Sequence, residues 1–220
     1  MPAAPEAPAD EPPFFADGEK YPKSLVLFTT QKYVNCPVLY LGATNEAGYA
    51  MFDINKLVER LEKKWTIEYI PNYGHASNSE KQFMNWQMWV SHIFDGRPLT
   101  QIGDLSHQKT DDGMILRARV ESPNKILQVM AWHVFCDDVP YWRDLTWHPI
   151  IMKRKQDNLY EGFVKEVLPD AWFVEVKDIA NGFPGYVSSL PQDITGKPAK
   201  ERNARRPRNW EIRKNIRGQD

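Results

Sequence analysis

Two hydrophobic patterns with different periods divide the chain. Between residues 37 and 94, short continuous apolar runs alternate with segments whose apolar side chains recur every three or four positions. Continuous runs are typical of buried strands, and the longer period is typical of amphipathic helices. From residue 102 onwards, apolar and polar residues alternate one by one, which is typical of half-buried strands. The pattern therefore predicts an α/β unit followed by an all-β, sandwich-like module.

The first unit has the predicted order strand, helix, strand, helix. Its strands are expected near residues 37–42 and 66–70, and its helices near residues 53–64 and 77–94. Two strands joined by one crossover helix are expected to pair in parallel through a right-handed connection. The sequence therefore predicts a βαβα unit whose two strands are neighbours in one sheet.

The second predicted helix carries more apolar side chains than one face can hold. These side chains are Phe83, Trp86, Trp89, Val90, Ile93 and Phe94. A helix that is apolar around most of its circumference must be covered on two sides. We expect it to be buried between the sheet and the β module, and the alternative is an exposed face that binds a partner.

An acid and a histidine follow the two predicted strands. Glu46 comes after the first strand and His75 after the second, and the carboxyl ends of neighbouring parallel strands meet at one edge of a sheet. An acid that fixes the tautomer of a histidine is part of a Ser-acid-His relay, in which α/β-hydrolases place the nucleophile first. Ser24 is the only serine that precedes Glu46, and the sequence contains no G-x-S-x-G motif that could form the nucleophile turn. We predict Glu46 and His75 within hydrogen-bond reach, in a site that is vestigial or is completed by another polypeptide.

Three short segments carry a family resemblance: residues 42–46 (Gly-Ala-Thr-Asn-Glu), 69–75 (Tyr-Ile-Pro-Asn-Tyr-Gly-His) and 95–99 (Asp-Gly-Arg-Pro-Leu). In order and spacing they resemble the C-terminal half of the PhoPQ-activated pathogenicity-related protein family. The resemblance extends over roughly residues 30–192 and implies a partial α/β-hydrolase-like unit with Glu46 as the acid, where family members usually have an aspartate. The family's N-terminal half, with its serine-bearing turn, is missing from this chain.

Turn signals and composition divide the chain into four predicted parts. Residues 1–24 form a Pro/Ala-rich extended arm, residues 25–100 the α/β unit, residues 101–195 the β-sandwich-like module, and residues 196–220 a basic arm. Within the β module, Asp-Asp-Gly, Ser-Pro-Asn and Leu-Pro-Asp turns separate short strands, which indicates an antiparallel sandwich.

Composition and charge exclude several classes of protein. The formal net charge of −1 does not indicate a particular class of binding partner. Cys36 and Cys136 are too few for a disulfide framework, which favours a reduced compartment, and no cysteine or histidine has the spacing of metal ligands. No apolar run is long enough to span a membrane. We therefore expect no metal, no cofactor and no transmembrane segment.

The two arms and the open sheet edge predict an obligate protein partner. The tail at 196–220 is locally basic and contains Trp210 and Ile212, so we expect it to dock on a protein, with a solvated extension, anionic lipid and RNA as alternatives. A two-stranded sheet also leaves backbone groups for a partner to pair. We predict a non-catalytic interaction subunit of a larger assembly. The alternative is the acid-histidine half of a serine hydrolase, completed by a chain that carries the nucleophile.

Overall fold

Most of the residues that the structure describes belong to β-strands. The computed structural model describes residues 34, 36–45, 51, 58, 65–74, 78–135 and 145–194. Strands account for 55% of these residues. The strands are β1 (Leu39–Ala43), β2 (Thr66–Ile70), β3 (Gln101–Thr110), β4 (Gly113–Glu121), β5 (Lys125–Val134), β6 (His148–Ile151), β7 (Lys153–Gln156), β8 (Leu159–Lys165), β9 (Ala171–Ala180), β10 (Phe183–Ser188) and β11 (Gln192–Asp193), and the helix α1 (Glu80–Asp95) lies between β2 and β3.

The prediction of an α/β fold with a partial α/β-hydrolase-like βαβα unit is wrong. Strands β1 and β2 do pair in parallel, with Leu39 opposite Thr66 and Ala43 opposite Ile70, as the sequence indicated. Among the described residues, however, no third strand joins this pair. All other described pairings are antiparallel. Most of the described residues belong to strands, and most of these strands are antiparallel, so the fold is mostly β. The two larger sheets combine strands that are far apart in the chain.

Two antiparallel sheets form a sandwich-like body. One sheet has the order β10-β9-β5-β6, with β11 also paired to β9, and the other has the order β3-β4-β8-β7. The alternating apolar residues of β4, β5, β8 and β9 meet between the sheets, as the period of two in the sequence requires. Fully buried members of this core include Leu116, Ala118, Ala131, Trp172 and Val174. The sandwich-like, mostly β character predicted after residue 102 is thus present.

Strand β9 is buried on both faces, and its second face holds a second core. Trp172 and Val174 face the core between the two sheets, whereas Phe173 belongs to a cluster with Tyr69 of β2 and with Trp147. The ring centroid of Phe173 lies 6.0 Å from that of Tyr69 and 5.1 Å from that of Trp147. The β1-β2 pair is therefore a third layer that covers the outer face of the β9 sheet.

Helix α1 has well-formed ends. The sequence predicted this helix near residues 77–94, and α1 begins with a capping box in which the side chains of Ser79 and Gln82 each accept a hydrogen bond from the other residue's backbone N–H. The helix ends at Gly96, whose φ of 70° is left-handed and suits a residue without a side chain. Of the other predicted helix, only Val58 is described, and it is helical.

Candidate functional site

The two residues of the predicted relay, Glu46 and His75, lie outside the described residues. Their hydrogen bond therefore remains a prediction. The same holds for the two arms at 1–24 and 196–220, whose contacts with a partner remain predictions too. The structure does describe the residues that immediately precede Glu46 and His75 in the chain.

The loops that follow β1 and β2 are joined to each other. The backbone N–H of Asn45 donates to the carbonyl of Tyr73 at 3.0 Å. The Thr44 hydroxyl accepts from the backbone N–H of Asn72 at 2.7 Å. The two loops therefore meet at one edge of the strand pair, which is where parallel strands place their carboxyl ends.

A third loop is fixed to the same edge by asparagine side chains. The Asn72 amide donates to the carbonyl of Trp147 at 2.9 Å and accepts from its N–H at 2.7 Å, as a neighbouring strand would. The Asn45 amide donates to the carbonyl of Leu145 at 3.1 Å. Because backbone groups occupy these amides, the described part of this edge is a structural junction, and its amides are not free to contact a substrate.

A cluster of buried charged groups lies where β2, α1, β9 and β10 meet. Glu68 of β2 is completely buried, and Glu175 of β9 is 4% exposed. The Ser188 hydroxyl donates to Oε2 of Glu68 at 3.1 Å and accepts from the N–H of Tyr69 at 3.0 Å. Lys81 of α1 places its Nζ 2.5 Å from Oε2 of Glu175. The cluster therefore links the third layer and the helix to the sandwich.

The surroundings of Glu68 favour the protonated form of its carboxyl group. Burial raises the pKa of Glu68 well above its ordinary value, and the negative charge of Glu175 raises it further, while Lys81 and Ser188 oppose the shift. Oε1 of Glu68 has no hydrogen-bond partner, whereas Oε2 of Glu175 is paired with the ammonium group of Lys81. We therefore assign the neutral acid to Glu68 and the ion pair to Glu175 and Lys81.

Aromatic rings cover the charged end of this cluster. The Nζ of Lys81 lies 4.7 Å from the centre of the Tyr186 ring and 5.7 Å from that of the Trp132 ring. Such contacts favour a cation that has lost part of its water shell. Because Glu68 has no contact with solvent, the carboxyl pair cannot reach a substrate, and its role is to hold the layers together.

Replacing Glu68 with glutamine should remove part of the pH dependence of stability. An unfolded Glu68 loses its proton near its ordinary pKa of 4.5, whereas the folded group keeps it, so the free energy of unfolding of the parent falls as the pH rises above 4.5 towards the folded pKa. Glutamine keeps the shape of a protonated glutamate side chain and binds no proton. Urea unfolding from pH 4.5 to 8 should show that the advantage of Glu68→Gln over the parent grows with pH.

Two other groups help to interpret that experiment. Burial and the nearby His148 lower the pKa of His133 to about 4, which reduces stability as the pH falls. The parent and Glu68→Gln share this effect of His133, so it cancels in the difference between their free energies of unfolding. Desolvation alone would raise the pKa of Glu161, but hydrogen bonds from Lys155 and Arg117 lower it, so Glu161→Gln is the control and should show no growing advantage at higher pH. Parallel curves for the parent and Glu68→Gln would refute the neutral Glu68.

The sequence contains a signal for this cluster, although the predictions above do not include it. Glu68 stands in the middle of the apolar segment 66–70, and Glu175 stands in the middle of the apolar segment 171–176. A charged residue inside a strand that is otherwise apolar needs a partner when the strand is buried. The signal identifies two such residues, but it does not show that they meet.

Most of the exposed side chains of α1 are large and apolar, whereas three of its four buried side chains are polar. The residues that face outwards are Phe83, Trp86, Val90, Ile93 and Phe94, and we call them the outer face of α1. Four of them are 43–55% exposed and Phe94 is 80% exposed. The buried residues are Gln82, Asn85, Met88 and Ser91. The expected burial of the aromatic helix on two sides is therefore wrong, and the alternative of an exposed apolar face is what the structure shows.

A cavity of about 430 Å³ opens between β2, β3 and the segment that follows β10. Its wall includes Trp65, Gln101, Asp104 and Gln192. The side chain of Asp104 is 77% exposed and pairs with Arg119 at the surface at 3.2 Å. Small-molecule sites bring several polar groups together in an enclosed, largely apolar space. This open cavity lacks that arrangement, and we assign it no ligand.

The described residues provide neither a metal site nor a membrane span. Among them, no group of three or more histidine, cysteine, aspartate or glutamate side chains is placed to hold a metal ion. In the same part of the chain, no helix combines the length and the apolar character that crossing a bilayer requires.

Comparison with known proteins gives no family. No protein-family model matches the chain, and no curated protein matches it. Among solved structures, it is similar to catalytically inactive OgpA from Akkermansia muciniphila in complex with an O-glycopeptide substrate, with 14% identity over 46% of this chain and a TM-score of 0.28. Wild-type OgpA gives 15% identity over 44% of this chain and a TM-score of 0.25. The matches span 30% and 29% of the two OgpA chains, and such low TM-scores do not establish a common fold.

Proposed function

We propose that this chain is a non-catalytic interaction subunit that binds another protein surface through the outer face of α1. The observation that supports it is the polarity of the helix, in which five large apolar side chains face solvent while three of the four buried side chains are polar. Surface helices of isolated proteins show the opposite arrangement.

The outer face is a contiguous patch rather than a set of scattered residues. Its side chains lie on successive turns of one helix, and the rings of Phe83 and Trp86 touch edge to face with centroids 5.1 Å apart. With roughly 150–250 Å² for each large side chain, about 500 Å² of apolar surface is exposed. Patches of this size on monomers often serve a function.

The helix cannot turn to hide this patch, because its inward side chains have specific partners. The amide oxygen of Asn85 accepts from the backbone N–H of Tyr186 at 2.7 Å, and Lys81 pairs with Glu175. The ring of His92 is hydrogen bonded to the carbonyl of Arg97 at 2.7 Å. A rotation about the helix axis would break buried polar contacts, each of which is expensive to leave unmade. The orientation of α1 is therefore fixed, and its outer face stays exposed for a partner to bind.

Site-specific photocrosslinking in the native cell tests this proposal. A photoreactive amino acid at Val90 should give a discrete crosslinked product, because a partner covers that side chain. The matched control is Val167, which has nearly the same exposure (52% against 55%) but lies outside the helix, and it should give none. No discrete product at Val90, or equal products at both positions, would contradict the proposed function.

A further inference from the structure

We propose that the outer face of α1 is occupied by the same face of a second copy of this chain, so that two α1 helices pack antiparallel across a two-fold axis. The inference rests on the proposed function of that face and names its partner. The spacing, size and charge of its side chains and the area of the outer face support this partner.

The spacing of the outer face fits a helix as the partner. Phe83, Trp86, Val90 and Ile93 are separated by three, four and three residues. This is the alternation of the a and d positions in a heptad, which places a straight seam along a helix and packs it against another helix. Met88 occupies the opposite side in this scheme, and it is buried against the sandwich. A flat sheet or an extended peptide would not require this spacing.

The size of the side chains makes the seam complementary to itself in one orientation only. The four positions are symmetric about residue 88, so an antiparallel copy places Phe83 opposite Ile93 and Trp86 opposite Val90. Each layer then contains one aromatic and one aliphatic side chain, which keeps the volume of the layers even. A parallel pair would place Trp86 against itself and Val90 against itself, with crowding in one layer and a gap in another.

The charges of the helix also permit self-association. Between Lys81, which is paired inwards with Glu175, and Asp95, the helix has no carboxylate and no lysine or arginine. Like charges would repel in a symmetric interface, and none lies on the seam. Asp95 lies one heptad after Met88, on the side of the helix that faces away from the seam.

The exposed area is sufficient for a dimer of this kind. Burial of about 500 Å² of side-chain surface on each copy gives roughly 1,000 Å² in total, which is near the lower limit of specific protein interfaces. Such an interface is small. The dimer should therefore dissociate when a single charge is placed at its centre.

Sedimentation equilibrium of the full chain tests the second copy as partner. The parent should be a dimer, and Val90→Glu should shift it to a monomer, with a dissociation constant at least about 100-fold higher, because two carboxylates are buried near the symmetry axis. Val167→Glu is the matched control and should remain a dimer. Circular dichroism of each variant shows whether the fold is kept, and Trp86→Gln provides a second, uncharged disruption of the same seam.

Disulfide formation between two differently tagged chains tests the orientation. In a background with Cys36→Ser and Cys136→Ser, Trp86→Cys and Val90→Cys chains are mixed and oxidised. An antiparallel seam predicts that the mixed disulfide exceeds the two symmetric ones. Preferred Trp86→Cys homodimers would overturn the antiparallel packing.

The outcomes separate the two proposals. A monomeric parent whose residue 90 crosslinks in the cell to a different polypeptide would overturn the second copy as partner and leave the proposed function standing. A monomeric parent without any crosslink at residue 90 would overturn both. A dimer that Val90→Glu does not dissociate would overturn the proposed seam.

Discussion

Replacing Arg97 with alanine should lower the free energy of unfolding by about 3–5 kcal/mol, the effect expected when one partner of a buried ion pair is removed. Arg97 is 2% exposed, and its Nη2 lies 2.5 Å from Oδ1 of Asp178, which is equally buried. Its Nη1 donates to the carbonyl of Phe183 at 2.9 Å. The variant would leave Asp178 buried without its cation, and urea unfolding monitored by tryptophan fluorescence measures the loss.

The surroundings of Asp178 provide a second test of the same ion pair. Its Oδ2 accepts from the Thr100 hydroxyl at 2.6 Å and from the Asn124 amide at 2.8 Å. Asp178→Asn removes the negative charge and keeps the shape, so Arg97→Met with Asp178→Asn should be less destabilised than the sum of the two single variants. The exposed ion pair of Arg119 is the control, since Arg119→Ala should change stability by no more than about 1 kcal/mol. If the losses in unfolding free energy of Arg97→Met and Asp178→Asn simply added up in the double variant, the two residues would not be coupled.

Gly113→Ala should destabilise the protein by about 3 kcal/mol or more, since it adds steric overlap to an unfavourable backbone conformation. Gly113 has a φ of 150°, and a methyl group there would collide with the carbonyl oxygen of Val164 on the neighbouring strand β8. That atom belongs to the backbone and cannot move aside without breaking the sheet. The midpoint of thermal unfolding measures the effect.

Gly103→Ala is the matched control for this substitution. Gly103 lies in strand β3 of the same sheet, and a methyl group there would meet no atom within 4 Å. Its stability should stay close to that of the parent. A Gly113→Ala protein as stable as Gly103→Ala would show that β4 and β8 can separate locally, contrary to the expected rigidity of this ladder.

Local features of the fold could be predicted, whereas the partners of its layers could not. The parallel pairing of β1 and β2 follows from two apolar runs whose connection is long enough to hold a crossover helix. The period of two after residue 102 indicated the sandwich. Nothing in residues 37–94 indicates that β2 packs on β9, because that contact joins positions more than 100 residues apart, such as Tyr69 and Phe173.

The orientation of α1 could not be predicted from the sequence either, because it depends on contacts with residues far away in the chain. A helix with aromatic residues on most of its circumference does not show which side is buried. Asn85, for example, is buried where the backbone N–H of Tyr186, about 100 residues away in the chain, binds its amide oxygen. Arg97 was noted within a family-like segment, but its role as a buried cation depends on Asp178, which no local pattern identifies.

The late position of β9 in the chain has a consequence for synthesis. Strand β5 pairs with β9, with Met130 opposite Glu175, so the central pairing of its sheet is postponed until the ribosome has released the segment after residue 170. Until then Trp132 and the apolar side chains of β5 have no neighbouring strand on that side, and the outer face of α1 has already emerged. Contacts between distant segments form slowly, and exposed apolar surface favours aggregation in the meantime. The nascent chain should therefore depend on chaperones until β9 emerges, and chains truncated before residue 170 should be degraded rather than folded.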